Sequence, residues 1–320
     1  MSAQGDGGAS GNDLPGPESN PQLGLTGFVS GTPASDLAPM AVREQELLDQ
    51  AVELLAGLRL AVLTGAGLST DSGIPDYRGP QSVPRNPMTY QQFVGDENLR
   101  RRYWARNHVG WGHLRRADPN AGHAAVALLE QRGLLSGLIT QNVDRLHSSA
   151  GSVNVIDLHG TFDRVVCLQC ASVFPRSRIA EILEDLNPGY LERASDAGDV
   201  APDADADVDD TGDFVMAPCP VCGGMLKPDF VYFGENVPKS RVADAYAMVD
   251  AADALLVAGS SLTVMSGLRF VRHAAKAGKP VVIINRGPTR GDDFASLKVE
   301  VGVSEALTYL AARLPNLPHG

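Results

Sequence analysis

The apolar run Leu60-Ala61-Val62-Leu63 breaks abruptly into Thr64-Gly65-Ala66-Gly67, and four later runs end in polar turns in the same way. They are Leu138-Ile139-Thr140, Asn154-Val155-Ile156-Asp157-Leu158, Ala254-Leu255-Leu256-Val257-Ala258 and Val281-Val282-Ile283-Ile284. Short runs with so few polar residues read as strands covered on both faces, as in a parallel sheet. Helical periodicity lies between them near residues 122–132, 241–251 and 265–277, and Leu47, Leu48, Ala51, Val52, Leu55 and Leu58 mark a helix that leads into the first run. Strands alternating with helices predict an α/β fold built on a doubly wound parallel sheet. Gly65, Gln141, His159, Gly259 and Asn285 each stand just past a strand. The polar turns should therefore gather along the carboxyl edge of the sheet, where open parallel sheets bind ligands.

With 320 residues, 43% of them apolar, the chain can bury a large core. Residues 43–160 and 228–314 are expected to form a Rossmann-like domain with a helical insertion at 77–120, and residues 161–227 a smaller lobe. Residues 1–42, rich in Gly, Pro, Ser and Asp, read as a disordered tail. The Asp-Ala run at 195–213 reads as an exposed, disordered loop of the small lobe. These two segments hold four and eight acids and no Lys or Arg, so the net charge of −11 belongs to them, and the remainder has 26 acids against 27 bases. No basic field favours nucleic acid. No apolar run reaches the roughly 18 residues of a membrane span, and the N-terminus lacks the basic start of a signal peptide. A cytoplasmic monomer is the expectation.

The four cysteines form two pairs, Cys167-x-x-Cys170 and Cys219-x-x-Cys222. In a reducing compartment that spacing reads as a tetrahedral zinc site, and four thiolates leave no open position for water, so the zinc should be structural. A nucleic-acid zinc finger is the competing reading, but no basic aromatic stripe accompanies the cysteines.

A strand that breaks into a glycine turn can bring backbone N–H groups up to a dinucleotide's phosphates, which points Gly65 and Gly67 toward NAD. The same pair would also serve a tight turn and nothing else. Thr70 occupies the place of the usual third glycine, and no acidic ribose-binding residue follows about 20 residues on. Ser69 and Ser72 could cap a helix or bind phosphate. Ser260 and Ser261, after Gly259, should put hydroxyls at the next helix start. A lone His159 could be a structural, hydrogen-bonded residue, yet its ordinary pKa near 6.5 also suits a general base.

The full string from Thr64 through Asp76-Tyr77-Arg78, together with Gln141-Asn142-Val143-Asp144, Leu146-His147, Leu158-His159-Gly160 and Gly259-Ser260-Ser261, resembles the sirtuins, the NAD-dependent protein-lysine deacylases. The resemblance spans roughly residues 45–312. Within the family the chain looks most like the class II group that includes the mitochondrial lipoamidase and ADP-ribosyltransferase type, through Arg102-Tyr103-Trp104-Ala105-Arg106-Asn107, Leu226 to Gly234, Val264-Met265-Ser266-Gly267 and Gly287-Pro288-Thr289-Arg290.

The resemblance implies that an acyl-lysine amide oxygen attacks the nicotinamide ribose as nicotinamide leaves, and that His159 deprotonates a ribose hydroxyl as the acyl group migrates. Free lysine, nicotinamide and O-acyl-ADP-ribose would be the products. It further implies that Gln141, Asn142 and Asp144 partner the cationic pyridinium, with Asp144 acting directly or only orienting its loop. Gly65, Ala66, Gly67 and Ser69 would meet phosphates with Arg78 nearby, and Asp76, beside Tyr77, would meet the nicotinamide amide. Val143 belongs to the same loop. Asn285, Arg286 and Gly287 would lie on the adenosine side, and the backbone of Val303 against adenine. Tyr103-x-x-Arg106 matches the spacing with which sirtuins that handle acidic acyl chains bind a carboxylate. Arg100, Arg101 and Arg102 precede Arg106, however, and such a run also describes a solvated helix face.

Four other functions share parts of this pattern. ADP-ribosyl transfer or lipoamide cleavage would use the same scaffold. A non-catalytic NAD sensor would have no use for His159. A hydride-transferring dehydrogenase would want the missing acid.

Overall fold

The computed structural model describes residues 42–77, 87–194, 201–208 and 211–317. The expected tail, Val42 apart, and Arg78 lie outside them. Among the described residues the strands are β1 (Leu60–Thr64), β2 (Leu135–Thr140), β3 (Val155–Asp157), β4 (Gly160–Cys167), β5 (Val173–Pro175), β6 (Leu226–Phe230), β7 (Ala254–Ala258), β8 (Val281–Ile284) and β9 (Leu297–Val299). Six of them pair in parallel in the order β3-β2-β1-β7-β8-β9, and β5-β4-β6 form a second, antiparallel sheet.

Side-chain alternation along β1 settles the layers. Leu60 and Val62 join Leu48, Leu55, Val126 and Leu307 on one face, while Ala61 and Leu63 join Val249, Val257 and Phe270 on the other. β7 and β8 divide in the same way, Leu256 and Val282 to the first face, Leu255 and Val281 to the second. Helices Val42–Leu55, Ala121–Gln131 and Val303–Arg313 cover the first face, and Lys239–Asp250 and Met265–Lys276 the second. Burying a Leu or Val side chain contributes about 1.5–3 kcal/mol relative to leaving it exposed, and all five residues of β1 are buried. β1 is therefore the centre of the sheet. Because the chain turns to β2 on one side of β1 and to β7 on the other, the switch point of the topology lies beside the turns after Thr64 and Ala258.

β9 was not among the expected strands. It is three residues long, has Lys298 in its middle, and is fully buried only at Val299, so it carries no apolar run. In the insertion, Thr89 caps the helix Tyr90–Gly95, and the Asp96 carboxylate accepts from the amides of Asn98 and Leu99 to start the helix Glu97–Leu114. No helix among the described residues is long and apolar enough to cross a membrane.

The acidic run departs from its expected exposure. Residues 195–200 and 209–210 lie outside the described residues, but Ala201, Ala204 and Ala206 are buried against the helix Glu97–Leu114 and its surroundings. Low hydrophobicity suggested a solvated loop; what holds the segment in place is small side chains and a charge partner. A Cβ on Gly110 would lie 2.1 Å from the carbonyl oxygen of Ala204, so a glycine in the helix admits the segment's backbone. Arg106 then pairs with Asp205 at 2.7 Å.

Candidate functional site

A cavity of about 760 Å³ opens at the carboxyl edge of the parallel sheet. Its floor is a collar of glycines. Gly65 and Gly67 abut the turn after β7, where added Cβ atoms would lie 2.8 and 3.0 Å from the carbonyl oxygen of Gly259. Gly259 has φ +67°, and its own Cβ would stand 2.5 Å from the Leu68 nitrogen. The amide of Gly67 donates to the Gly259 carbonyl at 2.9 Å. Glycine is thus required here because two backbones touch. Ala66, Gly67, Ser69, Asp76 and Tyr77 line the cavity, whereas Gly65 sits behind it and accepts from Asn142 at 3.1 Å. The segment after β1 is a 3-10 helix, Ala66–Ser72, which lacks the α-helical start of the usual fingerprint.

Gln141, Asn142, Val143, Asp144 and His159 line the same cavity. The Gln141 amide donates to the Thr64 carbonyl, carrying the β1–β2 ladder one residue into the loop. Asn142 Nδ2 donates to Ser69 Oγ at 3.0 Å, and Ser69 Oγ donates to Asp144 Oδ2 at 2.6 Å. Asp144 also accepts from the Leu146 amide. Burial pushes the Asp144 carboxyl up from its ordinary value, and the bonds from Ser69 and Leu146 pull it back. Ser69 therefore bridges Asn142 and Asp144 and caps no helix. Beneath them His147 Nε2 meets Thr64 Oγ1 at 2.9 Å, and Thr64 donates to Thr140 Oγ1, so the carboxyl ends of β1 and β2 are tied together by side chains.

His159 is held from both sides. Its Nδ1 lies 2.9 Å from the Gln141 carbonyl oxygen, which can only accept, so Nδ1 carries the proton and the Nε2 lone pair faces the other way. There Ser266 Oγ sits 2.8 Å from Nε2 and donates to it. Burial, with a smaller push from Arg241, lowers the His159 pKa to about 4 against the opposing bond to Gln141, so the ring is neutral at pH 7. In the sequence Ser266 stands out only as a member of Val264-Met265-Ser266-Gly267. The partnership was hidden because it joins residues 107 apart in sequence.

Ser260 Oγ donates to Gln141 Oε1 at 2.5 Å, and both Ser260 and Ser261 line the cavity. They do not start a helix: Leu262 is at φ +54° and the helix begins at Met265. Asn285, Arg286 and Gly287 line the far end, where Asn285 Nδ2 donates to the Arg286 carbonyl at 2.8 Å and closes the turn. Val303 is not among the described lining residues; it opens the helix Val303–Arg313 with its side chain in the core. Arg78 lies outside the described residues.

Tyr103 and Arg106 are also absent from the described lining. The Tyr103 ring packs against Phe93 and Tyr232 at centroid distances of 5.7 and 5.3 Å, and burial pushes its phenol well above the ordinary value. Arg106 Nε is bound to Asp205, and Pro202 and Asp203 of the acidic segment line the cavity. The expected guanidinium clamp is already engaged by the chain's own carboxylate.

The four cysteines converge. Their sulfurs all lie within 4.8 Å of one another, with Cys167–Cys222 at 3.5 Å and Cys170–Cys219 at 3.7 Å. A disulfide needs about 2.05 Å, whereas a tetrahedron of zinc–sulfur bonds of about 2.3 Å separates sulfurs by about 3.8 Å. Each pair sits on a turn that closes on its first cysteine: the Ala171 amide donates to the Cys167 carbonyl, and the Gly223 amide to the Cys219 carbonyl. The cluster fits a structural zinc ion.

The profile of the Sir2 family matches residues 65–266. The chain is 61% identical over 269 residues to "NAD-dependent protein deacetylase 1" of Mycobacterium avium, covering 83% of this chain and 95% of that protein. It is 54% identical over 290 residues to the protein of the same description from Streptomyces coelicolor, covering 89% and 95%. A solved structure described as "Sir2-p53 peptide-NAD+" aligns with a TM-score of 0.64 at 31% identity, covering 81% of this chain and 95% of that one. The cavity at the switch point, the four-cysteine cluster and these likenesses agree, and the chain belongs to the Sir2 family.

Proposed function

We propose that this chain is an NAD-dependent protein-lysine deacylase in which His159 is the general base. The relatives' descriptions support the activity, and the observation that carries the base is the locked tautomer: Nδ1–H is committed to a backbone carbonyl, and a neutral Nε2 is directed to Ser266. NAD, consumed as a substrate, supplies a glycosidic bond whose loss releases nicotinamide and a ribose that takes up the acyl group, and one water molecule supplies the atoms that free the lysine amine. Nε2 accepts the proton of a ribose hydroxyl, which displaces Ser266 as its partner. Gln141, oriented by Ser260, and Asn142, oriented by Ser69, hold the pyridinium side of the cavity; Asp144 acts through Ser69 and its own loop. Gly67 and Ser69 meet phosphates, Asp76 and Tyr77 the nicotinamide side, and Asn285 to Gly287 with Ser261 the adenosine side. Cys167, Cys170, Cys219 and Cys222 hold zinc away from the reaction, in a lobe distinct from the Rossmann-like part. The class II assignment is also our inference, supported by Arg102 to Asn107 and Leu226 to Gly234.

Incubating the protein with NAD and an acetyl-lysine peptide should yield nicotinamide, the free-lysine peptide and O-acetyl-ADP-ribose by mass spectrometry. ADP-ribose attached to protein, with the acetyl group left on the peptide, would select the transferase reading instead. NAD binding without nicotinamide release would overturn both.

A further inference from the structure

Ser266 is the second residue of the helix Met265–Lys276 and stands half-buried in the wall of the cavity. Its Oγ is 2.8 Å from His159 Nε2, and the ring is fixed from behind by the bond from Nδ1 to the Gln141 carbonyl at 2.9 Å. A Cβ on Gly267 would lie 2.5 Å from Gln141 Nε2, so the start of this helix packs directly onto the residue that orients the ring. The amides of Gly267 and Leu268 both reach back to the Val264 carbonyl at 3.3 Å. Those of Met265 and Ser266 precede the first turn and have no carbonyl behind them within the helix, and no side chain caps it. One wall of the cavity thus brings together a hydroxyl, an imidazole nitrogen able to take its proton, a group that orients the imidazole, and N–H donors at the positive end of a helix.

We propose that Ser266 and His159 form a nucleophile and base that hydrolyse carboxylic esters through an acyl-Ser266 intermediate, without NAD. Oγ attacks the ester carbonyl carbon while its proton passes to Nε2. The carbonyl oxygen takes up negative charge, which the amides of Met265 and Ser266 and the helix dipole stabilise. The bond to the leaving alcohol then breaks, and the alcohol oxygen takes the proton from Nε2. Water repeats the step on the acyl-serine: its oxygen bonds to the carbonyl carbon, it gives a proton to Nε2, and Ser266 Oγ leaves with that proton. The products are an alcohol and a carboxylic acid. While the ring is charged, its Nδ1–H bond to the Gln141 carbonyl supports it. A carbonyl does this less well than a carboxylate, which suits the pair to esters, whose alcohols leave more readily than the amines of amides. In deacylation a ribose hydroxyl takes the place that Ser266 holds here, so the two reactions share a base and differ in the hydroxyl it deprotonates.

The test follows p-nitrophenyl acetate with the full-length, zinc-loaded protein and no NAD. Release of p-nitrophenol should run through many turnovers per chain, and a brief reaction quenched in acid should show an acetyl group on the peptide that carries Ser266. Ser266→Ala and His159→Ala should each lower the enzymatic rate about a hundredfold. The double variant should fall no further, because the two residues act as a unit. Ser266→Cys, which keeps a nucleophile at the same place, should carry the acetyl group on the substituted thiol, and this separates lost chemistry from a lost fold. An acetyl group absent from the Ser266 peptide, release that persists in Ser266→Ala, or a double variant that loses the product of the two single losses would overturn the proposal. Because NAD takes no part, failure here leaves the deacylase reading standing, and a failure of deacylation leaves this one.

Discussion

His159 has one ring nitrogen to offer, because the other is spent on the Gln141 carbonyl. His159→Ala should lower formation of the free-lysine peptide and O-acyl-ADP-ribose at least about a hundredfold, the usual scale of a lost general base, and cost only the ~1 kcal/mol of a lost hydrogen bond in urea stability. Retained turnover in that variant removes His159 from the mechanism. Gly259 presents the converse case, a residue whose importance lies in having no side chain. With φ at +67° and the Leu68 nitrogen 2.5 Å from a would-be Cβ, Gly259→Ala should cost at least ~2 kcal/mol and weaken dinucleotide binding. Unchanged stability and an unchanged Kd for NAD would show that the collar can relax.

The small antiparallel sheet runs directly into the four-cysteine cluster. β5 has three residues, and β4 and β6 enter the cysteine turns at Cys167 and Leu226. The four sulfurs thus clip together segments that lie 48 residues apart between Cys170 and Cys219. Metal analysis should find one zinc per chain. Removing it with a strong chelator should unfold this lobe and abolish deacylation without altering the parallel sheet, read as a loss of near-ultraviolet circular dichroism from the Tyr190 and Phe214 surroundings. An active, metal-free protein would refute a structural zinc. The helix Glu97–Leu114 contributes differently. Asp96 caps it, and a helical insertion at 77–120 was expected from the sequence, but nothing local in Gly110 announced that a separate acidic segment would rest on it.

Across the molecule, buried histidines couple stability to pH. Burial lowers His108 to about 3 and His123 and His159 to about 4, from an ordinary 6.5. The unfolded chain therefore binds protons that the folded chain refuses. The contribution is complete above pH 6.5 and is lost as pH falls from 6.5 toward 4. Urea midpoints measured across that window should fall most steeply near pH 5, midway between the folded and unfolded values, with a slope approaching one proton per histidine, and a flat profile would mean that the rings find partners on protonation. The parallel sheet, its flanking helices and the paired cysteines could be read from the chain alone, because apolar runs, helical periodicity and Cys-x-x-Cys spacing are local patterns that carry their own structural preference. The same holds for most of the cavity, since a turn just past a parallel strand must fall on one edge. Contacts between distant segments could not be read in that way. The Ser266 hydroxyl at His159 and the Asp205 carboxylate at Arg106 join residues 107 and 99 positions apart. The touching backbones of Gly65, Gly67 and Gly259 are of the same kind. Each depends on how close two independently formed elements come to lie, and that is decided by packing, whatever either stretch prefers in isolation.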